Sequence, residues 1–218
     1  MVEAKPVSID TSYQMILREP MLEIIVGEPR IALLQKILKT FALHVNEITF
    51  REENPRTNHF QFSKFYEQAF FNVTWGLEEI SGVLRNPREK NQIESLFRQL
   101  HDLVKPHPIV SQKFAIQHQL AIADNPLSFI DSLSPFTPEP FRKMLTGKSV
   151  AFNLRDEQKK VSIIVSLAPS LFVPNGLFLS IEYNFTSEDF TPCFEVAVQY
   201  YPVLVKSLNI AMVGLSDG

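Results

Sequence analysis

Five stretches of the chain carry residue types that could do chemistry. Thr146-Gly147-Lys148-Ser149 ends like a phosphate-binding loop, in which free backbone amides and a lysine surround phosphate oxygens. The full motif needs a glycine five residues before Gly147, where Arg142 stands, and a helix afterwards to aim its amides at the anion. Strand-like alternation follows instead, so this segment reads as a turn into a sheet. His101-Asp102 with His107 has metal-ligand residue types, but the spacing fits no common zinc or iron arrangement, and prolines flank His107. A histidine near a helix C-terminus has an electrostatic reason of its own to be there. Cys193 falls in the first turn of an expected helix, where the dipole could lower its pKa. No histidine is near it in sequence and no oxyanion motif accompanies it, so a structural thiol is expected. Glu52-Glu53 and Glu78-Glu79, as neighbours on strands, point to opposite faces and make poor acid–base pairs. No serine sits in a nucleophile elbow, and no glycine-rich dinucleotide fingerprint occurs. The reading is therefore non-enzymatic, with no catalytic, cofactor or metal site assigned.

What remains is a surface. Opposite the apolar positions of the expected strands lie short polar side chains: Arg51, Gln61, Asn72, Thr74, Asn153, Arg155, Glu182 and Asn184, with Phe178 among them. An ordinary solvated face carries more Lys and Glu. A low-charge face containing phenylalanine suits binding a partner, or a second copy of the chain.

The elements that would position these residues follow from periodicity. Val150, Phe152 and Leu154, then Val161 to Leu167, then Leu177 to Phe185, alternate with polar residues and are separated by turn signals. That is an antiparallel meander with one face on a core. Earlier, Met21–Val26 reads as a short strand. Pro29 opens a helix ending near Leu43, with Ile31, Leu34, Leu38 and Phe41, and Leu33 and Ile37 beside them, as its apolar stripe. Strands are expected at 44–52, from Phe60, and over 71–77. A helix opens at Asn86-Pro87 and stops at Lys105-Pro106-His107-Pro108. A strand at 111–122, a helix opened by Asp124-Asn125-Pro126, and a short helix over 139–145 come next. Thr191-Pro192 opens the last helix, which Pro202 should kink. The apolar tail from Ile210 could add a strand.

Composition sets the bounds. The 218 residues suffice for a real core, and 21% charged with 45% hydrophobic is ordinary for a globular chain. Eighteen phenylalanines against seven glycines predict aromatic cores. A formal charge of −3 without a basic run argues against nucleic acid. One cysteine excludes an internal disulfide and fits a reducing compartment. With no signal-like N-terminus and no segment of ~20 apolar residues, a cytoplasmic protein without a membrane span is expected.

The expected class is α+β. Residues 1–18 read as an arm, and 19–108 and 109–218 as two β-α-β-β-β-α halves packed as one domain, an internal duplication. Joined edge to edge, they would form a twisted antiparallel sheet with helices on one face. In element order alone this resembles the saddle of the TATA-box-binding protein family; the resemblance covers no motif and implies nothing about function. The alternative is two helix-grip-like halves. Function is expected at the open sheet face, for a protein partner or self-association. The alternative there is a small-molecule-binding protein or enzyme with a phenylalanine-lined interior pocket.

Overall fold

The protein is described here by a computed structural model covering residues 1–25, 27–51, 59–135 and 147–213. It is α+β. The strands are β1 (Val2–Leu17), β2 (Ile48–Arg51), β3 (His59–Tyr66), β4 (Ala69–Trp75), β5 (Glu79–Arg85), β6 (Ile109–Ile122), β7 (Val150–Asp156), β8 (Val161–Pro169), β9 (Gly176–Phe185) and β10 (Ile210–Met212). The helices are α1 (Gly27–Phe41), α2 (Lys90–Val104), α3 (Pro126–Leu133) and α4 (Phe190–Ser207). The ten strands form one mainly antiparallel sheet in the order β2-β3-β4-β5-β1-β6-β9-β8-β7, with β10 parallel to the start of β1. The chain separates into two compact units. One holds Asp10–Phe114 and Asn184–Phe194; the other holds Met1–Ile9, Ala115–Tyr183 and Glu195–Gly218.

In the first unit, Thr11, Tyr13, Met15 and Leu17 alternate into the core. The expected arm is therefore a strand. Its signal is weak because Thr11 stands at one core position and the outward residues are mixed. Tyr13 donates to Gln112 Oε1 at 2.6 Å, and the Gln112 amide donates to the Ser187 carbonyl at 2.7 Å, so this buried polar chain is satisfied. The Tyr13 ring stacks on Phe114 at 4.6 Å and meets Phe97 and Phe190 at 5.6 and 5.5 Å. The excess phenylalanine is thus used here in packed rings.

The expected strand at 21–26 is instead a 3₁₀ turn over Leu22–Ile24, and Val26 lies outside the described residues. The buried stripe of α1 is Leu33, Ile37 and Phe41, whereas Ile31 is 55% exposed. The buried positions lie within the expected stripe, with Leu34 and Leu38 half-buried beside them, and Phe41 packs on Phe62 and Phe71 at 5.0 and 5.8 Å. Lys64 closes α1 by donating to the carbonyls of Phe41, at 2.8 Å, and Ala42. A cation there complements the helix C-terminus. Asn86 does not cap α2; it sits in a turn at φ +51°, and the cap residue is Glu89.

The expected three strands between α1 and α2 are four. The sequence of β5 hides it, because Gly82 interrupts the core positions Ile80 and Leu84. The glycine is there for space: a Cβ would lie 3.0 Å from the Phe71 ring and 3.1 Å from Leu100. Both neighbours are fully buried. Gly82→Ala is therefore expected to lower stability by about 1–2 kcal/mol, overpacking outweighing the reduced backbone entropy. Chemical denaturation measures it, and a stabilised variant would mean that Phe71 and Leu100 can shift freely.

In the second unit β7 and β8 pair in the register Phe152↔Val165 and Leu154↔Ile163. Val161, Ile163, Val165 and Leu167 of β8 join Leu177, Leu179, Ile181 and Tyr183 of β9 in the core. Asn125 caps α3 by accepting from the amides of Leu127 and Ser128 at 2.9 and 3.3 Å, and Pro126 follows as expected. Ser180 stands at a polar position of the alternation read over Leu177 to Phe185, yet it is 4% exposed. Its strand is an inner one, between β6 and β8. The tail does add a strand, with Val2↔Ile210 and Ala4↔Met212 in register. The expected helix at 139–145 lies outside the described residues.

Candidate interaction site

The loop between β8 and β9 is built to hold two apolar side chains in solvent. Pro169 ends β8, and the Ser170 hydroxyl then accepts from the amides of Phe172 and Val173 at 3.0 and 2.8 Å. Such serine turns replace the hydrogen bonds that a strand ladder would have supplied. The same hydroxyl donates to Gln119 Oε1 at 2.6 Å, which ties the loop to β6. On the far side, Val173-Pro174-Asn175-Gly176 closes with the Gly176 amide on the Val173 carbonyl at 3.0 Å, and Asn175 is at φ +52°. Proline followed by a positive-φ asparagine is the pattern of a type II turn. Gly176 is obligatory, since a Cβ would fall 2.6 Å from Val173 and 2.7 Å from the Leu120 carbonyl. Between these clamps Leu171 is 94% exposed and Phe172 81%.

Beside them lies a cleft of about 540 Å³. Gln119, Ala168 and Phe178, outward residues of β6, β8 and β9, lie along it with Pro169, Leu171 and Phe172, and Gly147-Lys148-Ser149 also lines it. Lys148 is no phosphate ligand: its ammonium donates to Asp131 Oδ1 at 2.6 Å and to the Ser134 carbonyl, so it closes the C-terminal end of α3. Strand β7 follows it, and Thr146 lies outside the described residues.

Of the surface residues expected from sequence, only Phe178 lines this cleft. Asn153 and Arg155 are exposed on β7, where Arg155 pairs with Glu157 at 2.8 Å. Glu182 and Asn184 are half-buried on β9. Gln61, Asn72 and Thr74 share the outward face of the first unit. The ladder sets that face in rows: Gln61–Thr74–Ser81–Gln14, Ser63–Asn72–Val83–Ser12 and Phe65–Phe70–Arg85–Asp10. The Arg51 side chain lies outside the described set. Sequence reasoning missed Ser170, Leu171, Phe172 and Gln119; the available signal was an apolar Leu-Phe-Val run inside a proline-bounded turn.

The other chemical candidates are accounted for by structure. His101 is buried with Nε2 2.9 Å from the Glu188 carbonyl, while His107 meets Glu23 at 3.3 Å. Among the described residues no group of three or more His, Cys, Asp or Glu is placed to hold a metal. Burial pushes the Cys193 thiol up to about 11, against the depression that a helix dipole could give, so it is a poor nucleophile. Asp156 accepts from the Tyr200 hydroxyl at 2.5 Å and from the amides of Gln158 and Lys159, bonds that hold its carboxyl below the usual range.

His118 gives a pH prediction. It is buried, its Nε2 lies 2.6 Å from the Tyr201 hydroxyl, and the two rings stack with centroids 5.6 Å apart. Burial raises the Tyr201 phenol above its ordinary value, so the hydroxyl keeps its proton and shares one hydrogen bond with the neutral imidazole. Burial also lowers the imidazole to about 4. A histidine depressed in the folded state binds its proton more readily when unfolded. Its contribution is intact above the unfolded value of about 6.5 and is lost as pH falls towards 4, up to about 3 kcal/mol. Urea unfolding at stepped pH should show the wild-type advantage over His118→Phe shrinking through that window. A pH-independent difference would contradict the depressed imidazole.

No described helix is long and apolar enough to cross a membrane. No protein-family model matches the chain, and no curated protein matches it.

Proposed function

We propose that the protein is a non-enzymatic interaction protein, taking a protein partner at the Leu171–Phe172 loop and the cleft beside Phe178. The observation that carries this reading is the exposure of Leu171 and Phe172 on a backbone fixed by Ser170 on one side and the Pro174-Asn175 turn on the other. An exposed aromatic anchor that is already rigid loses little entropy on binding, which favours affinity. A second copy of the chain is the other occupant this surface admits. Its single buried cysteine fits the reducing interior of a cell.

Strand order supports an internal duplication. β1, α1, β3, β4, β5 and α2 would correspond to β6, α3, β7, β8, β9 and α4, with the last meander strand beside the long first strand in each set. A small-molecule role is the second reading, favoured by a cleft volume in the range of ligand pockets, roughly 300–1,000 Å³.

Light scattering after size exclusion, and capture from native lysate on the wild type and on a Leu171→Ser/Phe172→Ser variant, test the proposal. Capture or self-association that depends on the two residues is expected. A monomer whose captured proteins are identical for both forms would refute it, and a metabolite that raises the melting temperature would favour the second reading.

A further inference from the structure

The outward face of the first unit is distinct in chemistry from the cleft. Its charged side chains in the three rows, Asp10 and Arg85, stand opposite each other at 3.7 Å and cancel. The rest of the centre is neutral and, apart from Val83, hydrogen bonding. Gln61 donates to Thr74 Oγ1 at 3.3 Å, and Asn72 donates to Ser63 Oγ at 2.7 Å, each pair directly opposite on β3 and β4. These bonds orient the amides while leaving each carboxamide further donor or acceptor capacity. One row along, Phe65 and Phe70 are cross-strand partners with ring centroids 4.9 Å apart, and Phe65 is 70% exposed. Strands about 4.8 Å apart and rows about 7 Å apart make this a regular grid of amide and hydroxyl groups ending in an aromatic edge.

Charge complementarity selects the ligand. A phosphate chain finds no unpaired cation in these rows, and a partner recognised by charge finds no excess of either sign. A protein interface core would call for more apolar area than one aromatic pair supplies. A ligand that is uncharged, offers hydroxyls at short repeats, and carries an apolar C–H face for the rings matches all three features. We propose that this face binds a neutral glycan chain, its hydroxyls on Gln61, Thr74, Asn72 and Ser63 and its C–H face on Phe65.

Affinity electrophoresis in native gels containing laminarin, soluble starch, hydroxyethylcellulose or galactomannan tests this, with a parallel binding assay on poly(U). The wild type should be retarded in at least one polysaccharide and not by poly(U). Phe65→Ala should need at least tenfold more polysaccharide for equal retardation, and Gln61→Ala severalfold more, while melting temperatures confirm that both variants are folded. Leu171→Ser/Phe172→Ser should be retarded like the wild type, which separates this face from the cleft. No retardation in any of the four gels overturns the inference. So does retardation that survives in Phe65→Ala, that is lost in the Leu171/Phe172 variant, or that poly(U) reproduces.

Discussion

Serine at both Leu171 and Phe172 is expected to weaken partner binding by a hundredfold or more while leaving the fold unaffected. The two effects separate because the side chains touch so little of their own chain. Substitutions at exposed sites normally stay within about 0.5 kcal/mol. At an interface the same atoms would be fully desolvated, and truncating one anchor costs about 2 kcal/mol or more, roughly thirtyfold in affinity. Two anchors side by side are not strictly additive, so a hundredfold is a conservative expectation. Leu22, exposed in the other unit, supplies the control: Leu22→Ser should leave binding unchanged. Surface plasmon resonance on the captured partner reads the affinity, and thermal unfolding reads the fold. Unchanged binding with both residues gone would remove the loop from any interface.

The second large effect lies in β9. Ile181 is fully buried, and Ile181→Ala should cost roughly 2–5 kcal/mol through lost burial and the cavity left behind. Ser180 points the opposite way and is also buried, but its hydroxyl has no hydrogen-bond partner among the described residues. Removing an unsatisfied hydroxyl removes a desolvation penalty, so Ser180→Ala should be neutral or stabilising by up to about 1 kcal/mol. Adjacent residues, similarly buried, are thus expected to respond with opposite sign. Denaturant titration of both variants decides it. A loss at Ser180 approaching that at Ile181 would mean that its hydroxyl has a bound partner after all.

The meander from β7 to β9 was legible because inward positions are uniformly apolar and outward ones are not. β5 was illegible because its central inward residue is Gly82, chosen to admit Phe71 and Leu100, neighbours that no local window contains. The N-terminal strand was obscured by Thr11, a core residue of polar type. For α1 the apolar stripe was legible, and only Ile31 at its start proves exposed. The outward alignment of Gln61, Asn72 and Thr74 could be read from period two alone. The Leu171–Phe172 loop could not, because its rigidity depends on Ser170 reaching Gln119, 51 positions away.

The pairing of β10 with the start of β1 bears on how the chain is made. Val2 finds Ile210 only after the whole intervening chain has emerged, which at about 5–20 residues per second takes roughly ten to forty seconds. Over that interval the backbone groups of Val2 to Ala4 that β10 will cover have no ladder partner from it. An unpaired strand edge is a template for pairing with other chains. Val2-Glu3-Ala4 is synthesised about two hundred residues before the strand that covers it, so this short edge stays open to wrong partners for longer than an edge closed by a hairpin.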